Sequence, residues 1–194
     1  MARNNDTRDR VLGTAADLFQ RQGYSGTGLN QVLADSNAPK GSLYFHFPGG
    51  KEQLAAEAIT RSGGEVGERL AAVVRAARGP RDALAGIAAL FADNLTTTDF
   101  HSGCPIATVA LEASADSEPI RASCDQAYAS WLAGLSRALG HWGVAEPETE
   151  PLATLILSAL QGAILLAKVR RDGTVLHTLG EQLGALVEQS IDAA

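Results

Sequence analysis

Two cysteines, Cys104 and Cys124, are all the thiol chemistry the 194 residues carry. Two cannot build a disulfide framework. A reduced, cytoplasmic setting is the expectation, with the pair either inert in the core or serving as a thiol switch. The four histidines, His46, His101, His141 and His177, are scattered with no two at ligand spacing, so no metal and no cofactor are expected. There is no nucleophile–base signature and no glycine loop of the phosphate-cradling kind, which argues against an enzyme. No apolar run follows the first four residues, so no leader is expected. The most apolar stretch, Leu155 to Val169, falls short of the roughly 20 residues a membrane helix needs and contains Ser158, Gln161 and Lys168. No membrane partner is expected. No segment alternates apolar and polar residues, and there is neither an internal repeat nor a low-complexity tract.

What is present is helix-forming: Ala, Leu, Glu, Gln and Arg dominate. Hydrophobic residues at 45% suffice for a core, so the chain reads as all-α and globular. Charge is unevenly placed. Residues 1–51 hold six basic groups (Arg3, Arg8, Arg10, Arg21, Lys40, Lys51) against four acidic ones (Asp6, Asp9, Asp17, Asp35), a balance of +2, while the rest of the chain carries −8. A mildly basic front on an acidic body suits a protein that touches phosphates with one end.

The first helix is expected at about 5–22, from the stripe Val11, Leu12, Ala15, Leu18 and Phe19, with Gly23 as its stop. A second, at about 28–35, buries Leu29, Val32 and Leu33 behind Thr27 as N-cap. Pro39 opens a third, carrying Lys40 to His46, and Pro48-Gly49-Gly50 ends it. Further helices are expected at about 51–78, 81–98, 105–114, 118–142, 152–171 and 175–191, with 145–151 as a loop. About nine helices in two domains result: a three-helix reader at 1–50 and a body at 51–194.

Two short helices around a three- or four-residue turn make a helix-turn-helix, whose second helix can lie in the major groove of DNA. Its outer face would present Lys40, Ser42, Tyr44 and His46, with Gly41 letting the backbone come close. On pattern alone an ordinary helical hairpin fits too, with Tyr44, Phe45 and Phe47 in the core. A helical small-molecule binder that does not bind DNA is the rival from another class.

Residues 8–59 resemble the N-terminal domain of the TetR family of transcriptional regulators. The resemblance rests on Leu18-Phe19, Gly23-Tyr24, Thr27 and Val32-Leu33. It continues through the run Lys40-Gly41-Ser42-Leu43-Tyr44-Phe45-His46-Phe47 and ends in Lys51-Glu52-Gln53-Leu54. It implies a double-stranded operator as partner. By that resemblance Thr27 is a phosphate-contacting cap, and Asn30 and Gln31 face outward on the second helix. Lys40, Gly41, Ser42, Tyr44 and His46 are recognition contacts, and Lys51 grips phosphate. The chain departs from the family pattern at Gly28, where a second threonine is common. It also has three residues rather than two between Phe47 and Lys51. The Phe-Pro-Gly-Gly-Lys variant, with Gly103-Cys104-Pro105 and Leu160-Gln161-Gly162-Ala163, is similar to a subgroup repressing multidrug-efflux and flavonoid-inducible operons.

In the body, the helix from Leu152 to Arg171 is apolar nearly all round and so needs burial on every side. With the next helix it could form a four-helix bundle between two chains, through Leu155, Ser158, Gly162 and Leu166 and through Leu179, Leu183 and Leu186. Both helices could equally serve as intramolecular core. The family resemblance further implies an effector pocket. Its candidate lining is Phe91, Phe100, Cys104, Ile106, Val109, Trp131, Leu135 and Leu165, and Glu112, Gln126, Tyr128 and Gln161 could supply polar groups. The expected function is a repressor released from its operator by a small hydrophobic or aromatic effector.

Overall fold

The computed structural model describes residues 2–192, with side chains from Asp6 onward. Among them are nine helices and no strand. They are α1 (Ala2–Gly26), α2 (Leu29–Asp35), α3 (Ser42–His46), α4 (Gly50–Ala76) and α5 (Pro80–Thr97), followed by α6 (Pro105–Ala113), α7 (Glu118–Trp142), α8 (Glu146–Arg170) and α9 (Thr174–Asp192).

Two compact units emerge. The first holds the chain up to Gly64 together with Cys104–Ala127; the second holds Glu65–Gly103 and the chain from Tyr128 on. The expected boundary after residue 50 therefore falls inside the first unit. The reason is local packing: α6 lies along α1, so the first unit joins elements far apart in sequence.

In the first unit, the predicted stripe of α1 is buried as Val11, Leu12, Ala15, Leu18 and Phe19, joined by Val32, Leu33, Leu43, Phe47 and Leu54. In the second, α9 packs on α5 and α8 through Leu176, Gly180, Leu183, Gly184 and Val187. Gly180 permits that approach, because a Cβ there would stand 2.8 Å from Ala88 Cβ and 3.0 Å from the Leu84 carbonyl oxygen.

Three local expectations are corrected. Gly23 kinks α1 rather than ending it: its φ of 76° and ψ of 177° are open essentially to glycine alone, and the chain turns helical again to Gly26. The segment 146–151 is helix, not loop. Its Pro147 sits in the first turn, where a missing N–H costs nothing, and Pro151 is carried inside α8. Pro39, Lys40 and Gly41 precede α3 in the turn instead of opening it.

By length and apolar character α8 could cross a membrane. In the fold, Leu152, Ile156, Leu160, Ala163, Ile164 and Ala167 are buried within the second unit. Leu155, Leu165, Leu166 and Val169 remain exposed, with Ser158 and Gly162 between them.

Candidate nucleic-acid interface

The reader is assembled from α2, the turn and α3. Helix α2 closes on Asn37, whose φ of 51° lets Ala38 N–H reach back to the Leu33 carbonyl at 3.0 Å. Arg10 Nε binds the Ser36 carbonyl at 3.3 Å and fixes the turn to α1. The turn into α3 is held by Pro39, whose carbonyl accepts from Ser42 N–H at 2.9 Å and from Ser42 Oγ at 2.6 Å. Leu43 and Phe47 then anchor α3 in the core.

The extra residue before α4 is absorbed by a turn. Gly50 N–H donates to the Phe47 carbonyl at 2.8 Å, and Gly50 takes a φ of 66°. A polar chain braces it: Gly49 N–H donates to Gln53 Oε1 at 2.8 Å, and Gln53 Nε2 donates to Glu57 Oε1 at 2.9 Å. Glu57 in turn pairs with Arg8, whose guanidinium lies 5.2 Å from the Phe47 ring centre.

Lys40 and Gly41 are exposed in the turn, and Asn30 is exposed and Gln31 half-buried on α2. Tyr44 is 65% exposed, while Ser42 and His46 are half-buried. Each of these residues is at least partly open to solvent. Thr27 does not join them. It is 1% exposed, and its hydroxyl donates to the Gly23 carbonyl at 2.7 Å; Gly28 is the N-cap of α2. The kink at Gly23 brings that carbonyl within reach and so takes the hydroxyl inward.

Lys51 also turns inward, its Nζ 4.5 Å from the Tyr24 ring centre. Partial burial pulls its ammonium below the usual lysine range, and the negative charge of Glu112 opposes that. Burial, then the charge of Glu52, pushes the Tyr24 phenol up. Glu112 belongs to this reader: its Oε2 accepts Ser25 N–H at 2.7 Å. Sequence reasoning had offered it to the pocket, because nothing in the pattern brings α6 to the kink of α1. It had also left Phe45 as a core candidate. Phe45 is 69% exposed. Its place between the inward Leu43 and Phe47 is the signal that could have shown it.

The pocket candidates fall in two groups. Cys104, Ile106 and Val109 are buried in the first unit; Phe91, Trp131 and Leu135 are buried in the second, with Phe100 half-buried. Leu165 is corrected: at 59% exposure it lies on the outer face of α8 and lines nothing enclosed within its own unit. Trp131 meets Tyr128 edge-on at 5.5 Å. Gln126 is exposed, whereas the amide nitrogen of Gln161 is buried with no hydrogen-bond partner among the described residues. Of the dimer candidates, Leu155, Ser158, Gly162 and Leu166 are exposed, and Leu179 and Leu186 half-buried. Leu183 is corrected: it is buried in the chain's own core, on the buried side of α9 with Leu176, Gly180, Gly184 and Val187. No group of three or more potential metal ligands occurs among the described residues.

The signature described as bacterial regulatory proteins of the tetR family matches residues 11–58. The one described as the C-terminal domain of LmrA/YxaF-like transcriptional regulators matches residues 80–182. The chain is 39% identical to the HTH-type transcriptional regulator YxaF of Bacillus subtilis over 189 residues, 97% of this chain and 99% of that protein. Its fold is similar to a TetR transcriptional regulator from Chloroflexus aurantiacus, with a TM-score of 0.80, 28% identity and coverage of 97% and 98% of the two chains. It is similar as well to a cysteine-substituted CifR bound to 26-bp operator DNA, with a TM-score of 0.71, 26% identity and 95% of each chain covered. The exposed face around α3, the helix-turn-helix beneath it and these likenesses converge: the chain belongs to the TetR family of DNA-binding transcriptional regulators, and it is not an enzyme.

Proposed function

We propose that the chain is a homodimeric repressor, seated on a double-stranded operator and released by a small hydrophobic or aromatic effector. The observation that carries this reading is the outer face of α8. Leu155, Leu165, Leu166 and Val169 stand exposed there beside the small Ser158 and Gly162. An apolar face of this kind calls for a partner, and small residues let a second helix approach closely. A second copy is the natural occupant, because a helix-turn-helix gains half-site spacing only as a dimer. Leu179 and Leu186 on α9 are proposed to flank that face.

Gln161 supports the effector. A buried donor without a partner costs about 1–3 kcal/mol, and a ligand oxygen would satisfy it. Trp131, Tyr128, Phe91 and Leu135 are proposed as the apolar wall in the same unit. Release then follows from differential affinity: an effector that binds one conformation better shifts the population towards it.

The test has two arms. Light scattering on the full chain should give the dimer mass, and Leu155→Glu with Leu166→Glu should give the monomer and lose operator binding. Quercetin and rhodamine 6G serve as effector probes. At least one should raise the melting temperature and weaken operator binding by about 5–150-fold. A wild-type monomer that binds its operator with full affinity would sink the dimer reading, and two inert probes would sink the effector class.

A further inference from the structure

Phe45 stands exposed on α3, and we infer that it reads a thymine methyl group in the operator. Helix α3 turns about 100° per residue. Leu43 faces the core and is buried. Phe45, two residues on, lies about 200° round the helix from it, on the side opposite the core. Tyr44 and His46 flank it. A Cβ at Gly50 would stand 3.8 Å from Tyr44 Cε1, so the tyrosine ring leans towards the start of α4. The His46 ring sits edge-on to the Phe45 ring, 5.0 Å between centres at 84°. Phe45 thus points away from the core, its ring met edge-on by His46 on one side and 69% exposed.

The chemistry of the groove selects the partner. A phenyl ring neither donates nor accepts a hydrogen bond. Seated over a guanine, adenine or cytosine edge, it would strip water from polar groups and return nothing. In the major groove the thymine 5-methyl is the apolar feature of an unmodified base edge, and phenylalanine suits it. The contact also removes the exposed ring from water. Lys40 and Tyr44 nearby are exposed and carry groups that bind phosphate, a contact that fixes position, whereas Phe45 would add sequence preference.

This inference rests on operator reading by α3, and the experiment separates the two. Duplexes are selected from a random library with the full-length wild-type protein. Each conserved thymine is then replaced in turn by deoxyuridine, which differs only in lacking the methyl. One thymine per half-site should show a loss of about four-fold, the roughly 0.8 kcal/mol of one buried methyl-sized group. Phe45→Ala should bind the thymine duplex more weakly and show no further loss with deoxyuridine. Phe45→Leu should keep part of the discrimination. Because the ring is exposed, circular dichroism and melting of both variants should match the wild type. If the selected duplex tolerates deoxyuridine at every position, or if Phe45→Ala retains the full penalty, the inference is overturned while operator reading stands. A library from which the wild type enriches no sequence overturns both.

Discussion

Glu112 Oε2 accepts the backbone N–H of Ser25 at 2.7 Å, joining residues 87 positions apart in the chain. This bond ties α6 to the kink in α1 and places a carboxylate near Lys51. Glu112→Ala should lower stability by about 1 kcal/mol, the usual value of a hydrogen bond exposed to water. Glu112→Gln should lose less, since an amide oxygen still accepts. Urea midpoints at unchanged slope would check both.

Gly23→Ala should be more damaging. The φ of 76° with ψ of 177° costs a non-glycine residue about 1–3 kcal/mol, and the new Cβ would stand 2.7 Å from Glu112 Cδ. The double change Gly23→Ala, Glu112→Ala should recover the part due to the clash but not the part due to the backbone. Thermal melts of the three variants form the cycle; strict additivity would refute the clash.

In the second unit, Gly180→Ala should destabilise by about 1–3 kcal/mol through overpacking. Backbone and a short side chain of α5 meet the added Cβ at 3.0 and 2.8 Å, and neither can swing away. Gly162→Ala has open space around it in the single chain and lies inside α8, so it should raise monomer stability by about 0.5–1 kcal/mol. Denaturant unfolding of both compares the sites directly.

Lys40 and Lys51 should differ on DNA. Lys40 is exposed in the turn before α3, and Lys40→Ala should reduce the slope of log affinity against log salt by about 0.9 for each protomer on the operator. Lys51 lies over Tyr24. Lys51→Ala should change the slope by less, unless the side chain leaves Tyr24 on binding. Fluorescence anisotropy at several salt concentrations reads both slopes, and equal losses would show that Lys51 does leave.

The two cysteines should behave as core. Both are buried, and burial pushes the Cys124 thiol up, with the nearby Cys104 adding to it against a hydrogen bond to Ser114. A raised pKa keeps the thiolate scarce at neutral pH. Maleimide should label neither residue in the folded protein at pH 7 and both in urea. Prompt native labelling would reopen the thiol switch.

Helix periodicity alone determined the all-α class, the stripe of α1 and the order of nine helices, because a 3.6-residue repeat is written locally. The run from Lys40 to Leu54 pointed to the reader through its likeness to the family; periodicity alone left an ordinary helical hairpin open. Backbone exceptions were less legible. Gly23 reads as a stop in any helix pattern, yet a glycine can kink and continue when a distant carboxylate caps the bend. Only the tertiary structure decided that Glu112 serves the reader, that Thr27 is turned inward and that Lys51 rests on Tyr24. Each depends on α6 or on the far side of a kink. It also divided the faces of α8 and α9, placing Leu183 inside and Leu165 outside, and it set Phe45 in the open. A residue's type says that it prefers burial; which neighbours arrive to bury it is settled by packing between elements distant in sequence.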